Sequence, residues 1–134
     1  MLVKLKGQRR EFAIIFVLGG VVSLLLAKLG SHLYTDPRPF VQGHFTPLIG
    51  HTNDNGFPSD HTLLASFVGW LVLAYDRRWG WALLLVAALI GAARMAAGVH
   101  HLSDIIGSFV FAGLGWAAAY AAVRLLSRRS ASKS

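Results

Sequence analysis

Histidine can attack phosphorus and can also move protons near neutral pH. The chain sets two of its six histidines beside the groups that such work needs. His100 precedes Asp104 by four residues, so the two share a face if that segment is helical, and the carboxylate can then fix the imidazole tautomer. His61 follows Pro58, Ser59 and Asp60. A helix beginning there would turn its free N–H groups and positive dipole end toward an anion. Arg38 and Arg94 carry planar guanidinium forks suited to phosphate oxygens, and Lys28 is a further cation. The set suits an oxyanion, most naturally phosphate. One histidine would form a covalent bond to phosphorus, while the other protonates the leaving oxygen and then activates water. The residue types alone do not say which histidine attacks.

Each candidate also has a plainer reading. Ser59 suits an N-cap, and Asp60 a first-turn dipole partner. Arg38 and Arg94 could snorkel to an interface. His101 should point away from the face of His100. His32, His44 and His51 read as polar loop or interface residues, and Gly113 and Gly115 as helix-packing positions. The chain has no cysteine, which excludes disulfides, thiolate catalysis and zinc–sulfur sites.

The elements that must hold these groups are apolar. Of the 134 residues, 54% are hydrophobic and only 14% charged, against roughly 25% charged in soluble domains. Four apolar runs, at about 12–33, 59–75, 79–99 and 102–126, predict an all-α integral membrane bundle of about four transmembrane helices in a single domain, 1–134. The second run is short, and spans only if its outer end sits in a protein-lined pocket. The first lacks the short apolar core and the cleavage site of a signal peptide. Residues 34–60 hold all four prolines and form a long outer loop, which at this length is functional.

Ten of the 13 lysines and arginines fall into three clusters: Lys4 to Arg10, Arg77 with Arg78, and Arg124 to Lys133. With four spans all three lie on one side, which the positive-inside rule makes cytoplasmic, so both termini are expected there. Lipid-like segments between the clusters exclude the nucleic-acid binding that a net charge of +7 otherwise suggests. At 1.5 Å per helical residue, Lys28, His61, Arg94 and Asp104 all lie roughly 22–30 Å from that side. They converge where the loop emerges, giving a polar pocket on the outer face.

Arg38-Pro39, Pro58-Ser59-Asp60-His61, and Arg94 followed by His100 and Asp104 resemble, in order and spacing, the three signatures of the type 2 phosphatidic-acid phosphatase superfamily. The wording DPRPF at 36–40 and DNGFPSDH at 54–61 is similar to its bacitracin-resistance type of undecaprenyl-diphosphatase. The resemblance implies His100 as nucleophile, Asp104 as its partner and His61 as general acid. It also implies Arg38, Arg94, Ser59 and Lys28 as phosphate ligands, with Asp60 and Pro39 as secondary candidates. It implies hydrolysis of an undecaprenyl diphosphate without metal or cofactor, at the outer face of a bacterial cytoplasmic membrane, in recycling of a cell-wall carrier lipid. Phosphatidylglycerophosphate or phosphatidate is the neighbouring substrate class.

The sequence departs from the family pattern in places. Ser31 stands where the family's first lysine is usual, Asp60 replaces a glycine, and Ala93 a serine. Two spans that usually precede the first signature have no counterpart here, which suggests a minimal form, a truncation or a homo-oligomer. A non-catalytic haem- or metal-binding membrane protein is the rival class, since six histidines admit it. Their place at span ends beside arginines weighs against a cation site. A structural or transport partner without catalysis would leave the spacing of Arg94, His100 and Asp104 without a reason.

Overall fold

The computed structural model describes residues 8–133; Lys4 and Lys6 of the first basic cluster lie outside them. The described chain is all-α, with helices α1 (Arg9–Leu33), α2 (Pro39–Gln42), α3 (Asp60–Leu73), α4 (Arg77–Ala96) and α5 (Leu102–Ser132). Three of these, α1, α4 and α5, are long and apolar enough to cross a membrane. The expected second span, α3, has 14 residues and rises only about 21 Å, short of a hydrocarbon core of roughly 30 Å. Its first residues, Asp60 and His61, line a polar cavity.

Small residues set the helix spacing. The buried stripe of α1 is Ile15, Gly19, Ser23 and Ala27, one residue per turn. It faces Ala112, Gly115 and Ala119 among the buried residues of α5. A side chain on Gly115 would collide with Ser23, as the helix-packing reading of that glycine requires. Helix α3 packs against both α4 and α5. Gly80 of α4 lies against the backbone of Leu73, and Gly69 of α3 admits Leu84. Between the two, Asp76 caps α4 by accepting from the backbone N–H groups of Arg78 and Trp79 at 3.1 and 3.2 Å. Phe67, Leu63, Ala27 and Ala112 form a buried cluster, and the stacked, partly buried Trp70 and Trp116 pack against it.

The outer loop is ordered by hydrogen bonds rather than by an apolar core. Asn55 works on both sides. Its amide donates to the carbonyls of Ser31 (2.9 Å) and Tyr34 (3.0 Å) at the end of α1, and its oxygen accepts from the N–H groups of Asp36 (2.9 Å) and Phe57 (3.1 Å). Removing that side chain strands several backbone groups, each worth about 1–3 kcal/mol if left buried and unpaired. Helix α2 is one short turn. It is tied to the α4–α5 connection by Phe40 N–H to the Gly98 carbonyl at 3.1 Å. Gly98 sits at φ +79°, a left-handed conformation that ends α4 and sends the chain toward His100.

Candidate active site

At the outer end of the bundle a cavity of about 410 Å³ is walled by α1, α3, α4 and the loop. Lys28, Arg38, Asp60, His61, Arg94 and His100 all line it, so residues far apart in the chain meet in one place. Ser59 does not. It is fully buried, and its hydroxyl donates to Thr62 Oγ1 at 3.1 Å, while its carbonyl accepts from Ser108 Oγ at 2.8 Å. Ser59 is the N-cap residue of α3, but makes no side-chain cap bond. Pro39 is the first residue of α2, where its fixed φ suits a helix start, and lies off the cavity wall. Lys28 reaches the cavity because α1 ends at Leu33, close above it.

His100 and Asp104 do meet, but not on a shared helical face. His100 precedes the N-cap residue of α5, and Asp104 is the third residue of that helix. The same oxygen, Asp104 Oδ2, accepts from the backbone N–H of His101 at 2.9 Å and lies 3.2 Å from His100 Nδ1. Helix capping therefore orients the carboxylate, and the carboxylate orients the histidine. Asp104 is fully buried and His100 is 4% exposed.

On the opposite side of the ring, Arg38 Nη1 lies 3.3 Å from His100 Nε2. A guanidinium can only donate, so Nε2 is the accepting nitrogen and the proton sits on Nδ1, facing Asp104. The lone pair thus belongs to the nitrogen beside the cavity. Arg38 is held in turn by Nε to Asp54 Oδ1 at 2.7 Å and Nη1 to the Val99 carbonyl at 3.0 Å. Arg94 differs: its Nε is buried and has no hydrogen-bond partner among the described residues. A buried unpaired donor is costly, and an oxyanion in the cavity would satisfy it.

Charge in the loop follows from the same contacts. The hydrogen bond from Arg38 holds the Asp54 carboxyl below the ordinary carboxylate range. Burial, with the Arg38 charge second, lowers the pKa of His51. His51 belongs to the site, although its sequence position read as ordinary loop. It lines the cavity with its ring edge-on to His100, centroids 6.2 Å apart. Asp54 and Asn55 line the cavity too, and both stand in the DNGFPSDH wording beside His61. Gly56 in that wording has a steric reason: a Cβ there would meet the Asp36 carbonyl at 3.0 Å and Asp104 Oδ2 at 3.3 Å. His101 turns away from the cavity, with Nδ1 3.1 Å from Asp36 Oδ1.

Residues 11–129 match the model of the PAP2 superfamily. The chain is 35% identical over 105 residues to undecaprenyl-diphosphatase BcrC of Bacillus subtilis (strain 168), covering 78% of this chain and 54% of that protein. It is 34% identical over 99 residues to the bacitracin transport permease protein BcrC of Bacillus licheniformis, covering 73% and 49%. Against the lipid A 1-phosphatase of Rhizobium etli the figures are 32% over 99 residues, 69% and 42%. The chain thus spans about half the length of the curated relatives it matches. No solved structure matches it.

Proposed function

The chain belongs to the PAP2 superfamily, and on that premise we propose that it is a membrane lipid phosphatase that hydrolyses a polyprenyl diphosphate of the undecaprenyl type through a phosphohistidine intermediate. The observation that carries the reading is His100, its Nδ1 held by Asp104 and its Nε2 opening on the cavity beside Arg38. The Nε2 lone pair attacks the terminal phosphorus as the bond to the leaving oxygen breaks, and His61 gives that oxygen a proton. Water then attacks the phosphohistidine while His61 takes its proton. The P–N bond breaks, its electrons return to Nε2, and inorganic phosphate leaves. Arg38 and Arg94 hold the charge spread over the transferring group, with Lys28 at the rim.

The substrate class draws support from three sides. The relatives include an undecaprenyl-diphosphatase. The cavity is polar and carries three cations. From it an apolar groove of about 490 Å³ runs between α1 and α3, lined by Phe16, Gly20, Leu64 and Phe67 and sharing Leu24 and Asp60 with the cavity wall. A phosphorylated head in the cavity would lay its first hydrocarbon units there. The placement of Arg77, Arg78, Arg124, Arg128 and Arg129 supports cytoplasmic termini and an active site on the outer face of a bacterial cytoplasmic membrane.

The test is phosphate release by detergent-purified protein in EDTA, from undecaprenyl diphosphate beside phosphatidylglycerophosphate and phosphatidate, with His100→Ala as control. We expect release that favours the polyprenyl diphosphate and vanishes in the variant. Preference for a phospholipid would replace the substrate, and release undiminished in His100→Ala would overturn the mechanism.

A further inference from the structure

Behind His100 lies a group that the reaction above does not use. Asp36 is 8% exposed. Its carboxyl accepts from Ser103 Oγ at 3.0 Å through Oδ2, and its Oδ1 lies 3.1 Å from His101 Nδ1. One carboxylate oxygen of Asp36, one of Asp104 and a ring nitrogen of His101 all lie within 4.8 Å of one another, so two buried carboxyl groups are close neighbours. Asp104 completes the problem. Its Oδ2 is taken by His100 and the His101 N–H, whereas its Oδ1 is buried and meets no donor among the described residues. An unpaired buried carboxylate oxygen beside a second negative charge would be strongly unfavourable. One proton between the two groups removes both costs, since it leaves one charge on the pair and supplies the missing donor.

We propose that Asp36 is a positioning residue: its carboxyl carries a proton that it shares with Asp104, which locks the carboxylate that orients His100. The inference rests on the reading of His100 as the nucleophile. The groups that face the pair are His100, His101 and Ser103 from the start of α5 and its approach, with Arg38 two residues along the loop. Burial, and next the contact with Asp104, push Asp36 above the ordinary carboxylate range, in keeping with a retained proton. The loop holds Asp36 in place through its backbone, N–H to Asn55 Oδ1 at 2.9 Å and carbonyl from Gly56 N–H at 2.9 Å. When the proton leaves at higher pH, a second negative charge appears beside Asp104. It repels that carboxylate and loosens its hold on the His100 ring.

The test pairs Asp36→Asn with Asp36→Ala in the full chain. Asparagine keeps a donor toward Asp104 and an acceptor for Ser103, whereas alanine removes both. The infrared spectrum of the substrate-free wild type should contain the carbonyl stretch of a protonated carboxyl that disappears in Asp36→Asn. This readout needs no turnover, so it stands even if the proposed substrate is wrong. Asp36→Asn should keep most of kcat and lose the alkaline limb of the kcat–pH profile. Asp36→Ala should lose about 10- to 100-fold in kcat with KM little changed. The proposal is overturned if the acid carbonyl band is missing from the wild type, or if asparagine is as damaging as alanine. Activity that requires added magnesium or calcium and is lost in EDTA would also overturn it, because the same spacing would then hold a cation instead of a proton.

Discussion

The two walls of the cavity differ in how much of their geometry exists before any substrate arrives. On one wall Arg38 and His100, with Asp104 behind them, are at most 5% exposed, and each is held by at least one named partner at 2.7 to 3.3 Å. On the other, Lys28, Asp60 and His61 are exposed and make no side-chain hydrogen bond among the described residues. The contrast suits the two tasks proposed for these residues. Bond formation to phosphorus needs a fixed nucleophile and fixed charge, because misplacement by about 1 Å costs on the order of 100-fold in rate. Proton delivery to a departing lipid needs a group that can move with it, and the apolar groove opens on this looser side.

Removing the proposed nucleophile should have the largest effect. His100→Ala should lower kcat by roughly 10⁴-fold or more, and Asp104→Asn by a comparable factor, because the amide leaves the ring in the wrong tautomer. Single-turnover trapping of phosphoprotein should fail in both. A His100→Ala enzyme that still forms phosphoprotein would break the assignment of the rigid wall to bond formation.

His61→Ala comes next, at about 10²–10⁴-fold with a lipid leaving group. The loss should shrink with an aryl phosphate whose leaving oxygen needs no proton, and phosphoprotein should then accumulate. Equal loss with both substrates would mean that His61 also serves the buried wall.

Arg38→Lys should cost about 10²–10³-fold in kcat despite the retained charge. An ammonium cannot meet Asp54, the Val99 carbonyl and His100 at once from their present positions. Lys28→Ala, by contrast, should act mainly on KM and by less than about tenfold, as for an exposed rim charge. Comparable kcat losses in the two variants would erase the difference between the walls.

The smallest effect concerns stability against pH. Asp54 is held below its usual 3.8 by Arg38. Its contribution is therefore fully present above that pH, and is lost as pH falls through the lowered folded value. His51 is held below 6.5, so its contribution weakens as pH falls through 6.5 toward its folded value. Thermal unfolding of Asp54→Asn in detergent should show a slightly flatter acid limb than wild type. The Asp54 side chain is 57% exposed, which keeps the change small.

Much of this molecule could be read from the chain itself. Long apolar runs, broken only by the charged Lys28, Arg94, Asp104 and Arg124, foretold α1, α4 and α5, because lipid imposes the same requirement on every exposed residue of a span, and that requirement is local. Residue types and spacing likewise brought out Arg38, His61, Arg94, His100 and Asp104, since few arrangements of guanidinium, imidazole and carboxylate suit a phosphate. Only the tertiary structure decided the rest. It made the His100–Asp104 contact a product of helix capping, turned the Ser59 hydroxyl toward Thr62, brought His51 to the cavity, and set Asp36 beside Asp104. Asp36 and Asp104 lie 68 positions apart in the numbering, and Asp54 reaches back 16 to Arg38. Residues 34–60 have no periodic pattern to constrain such pairings. Their conformation is chosen by which buried donors and acceptors can find one another, and that is settled only when all the helices are in place.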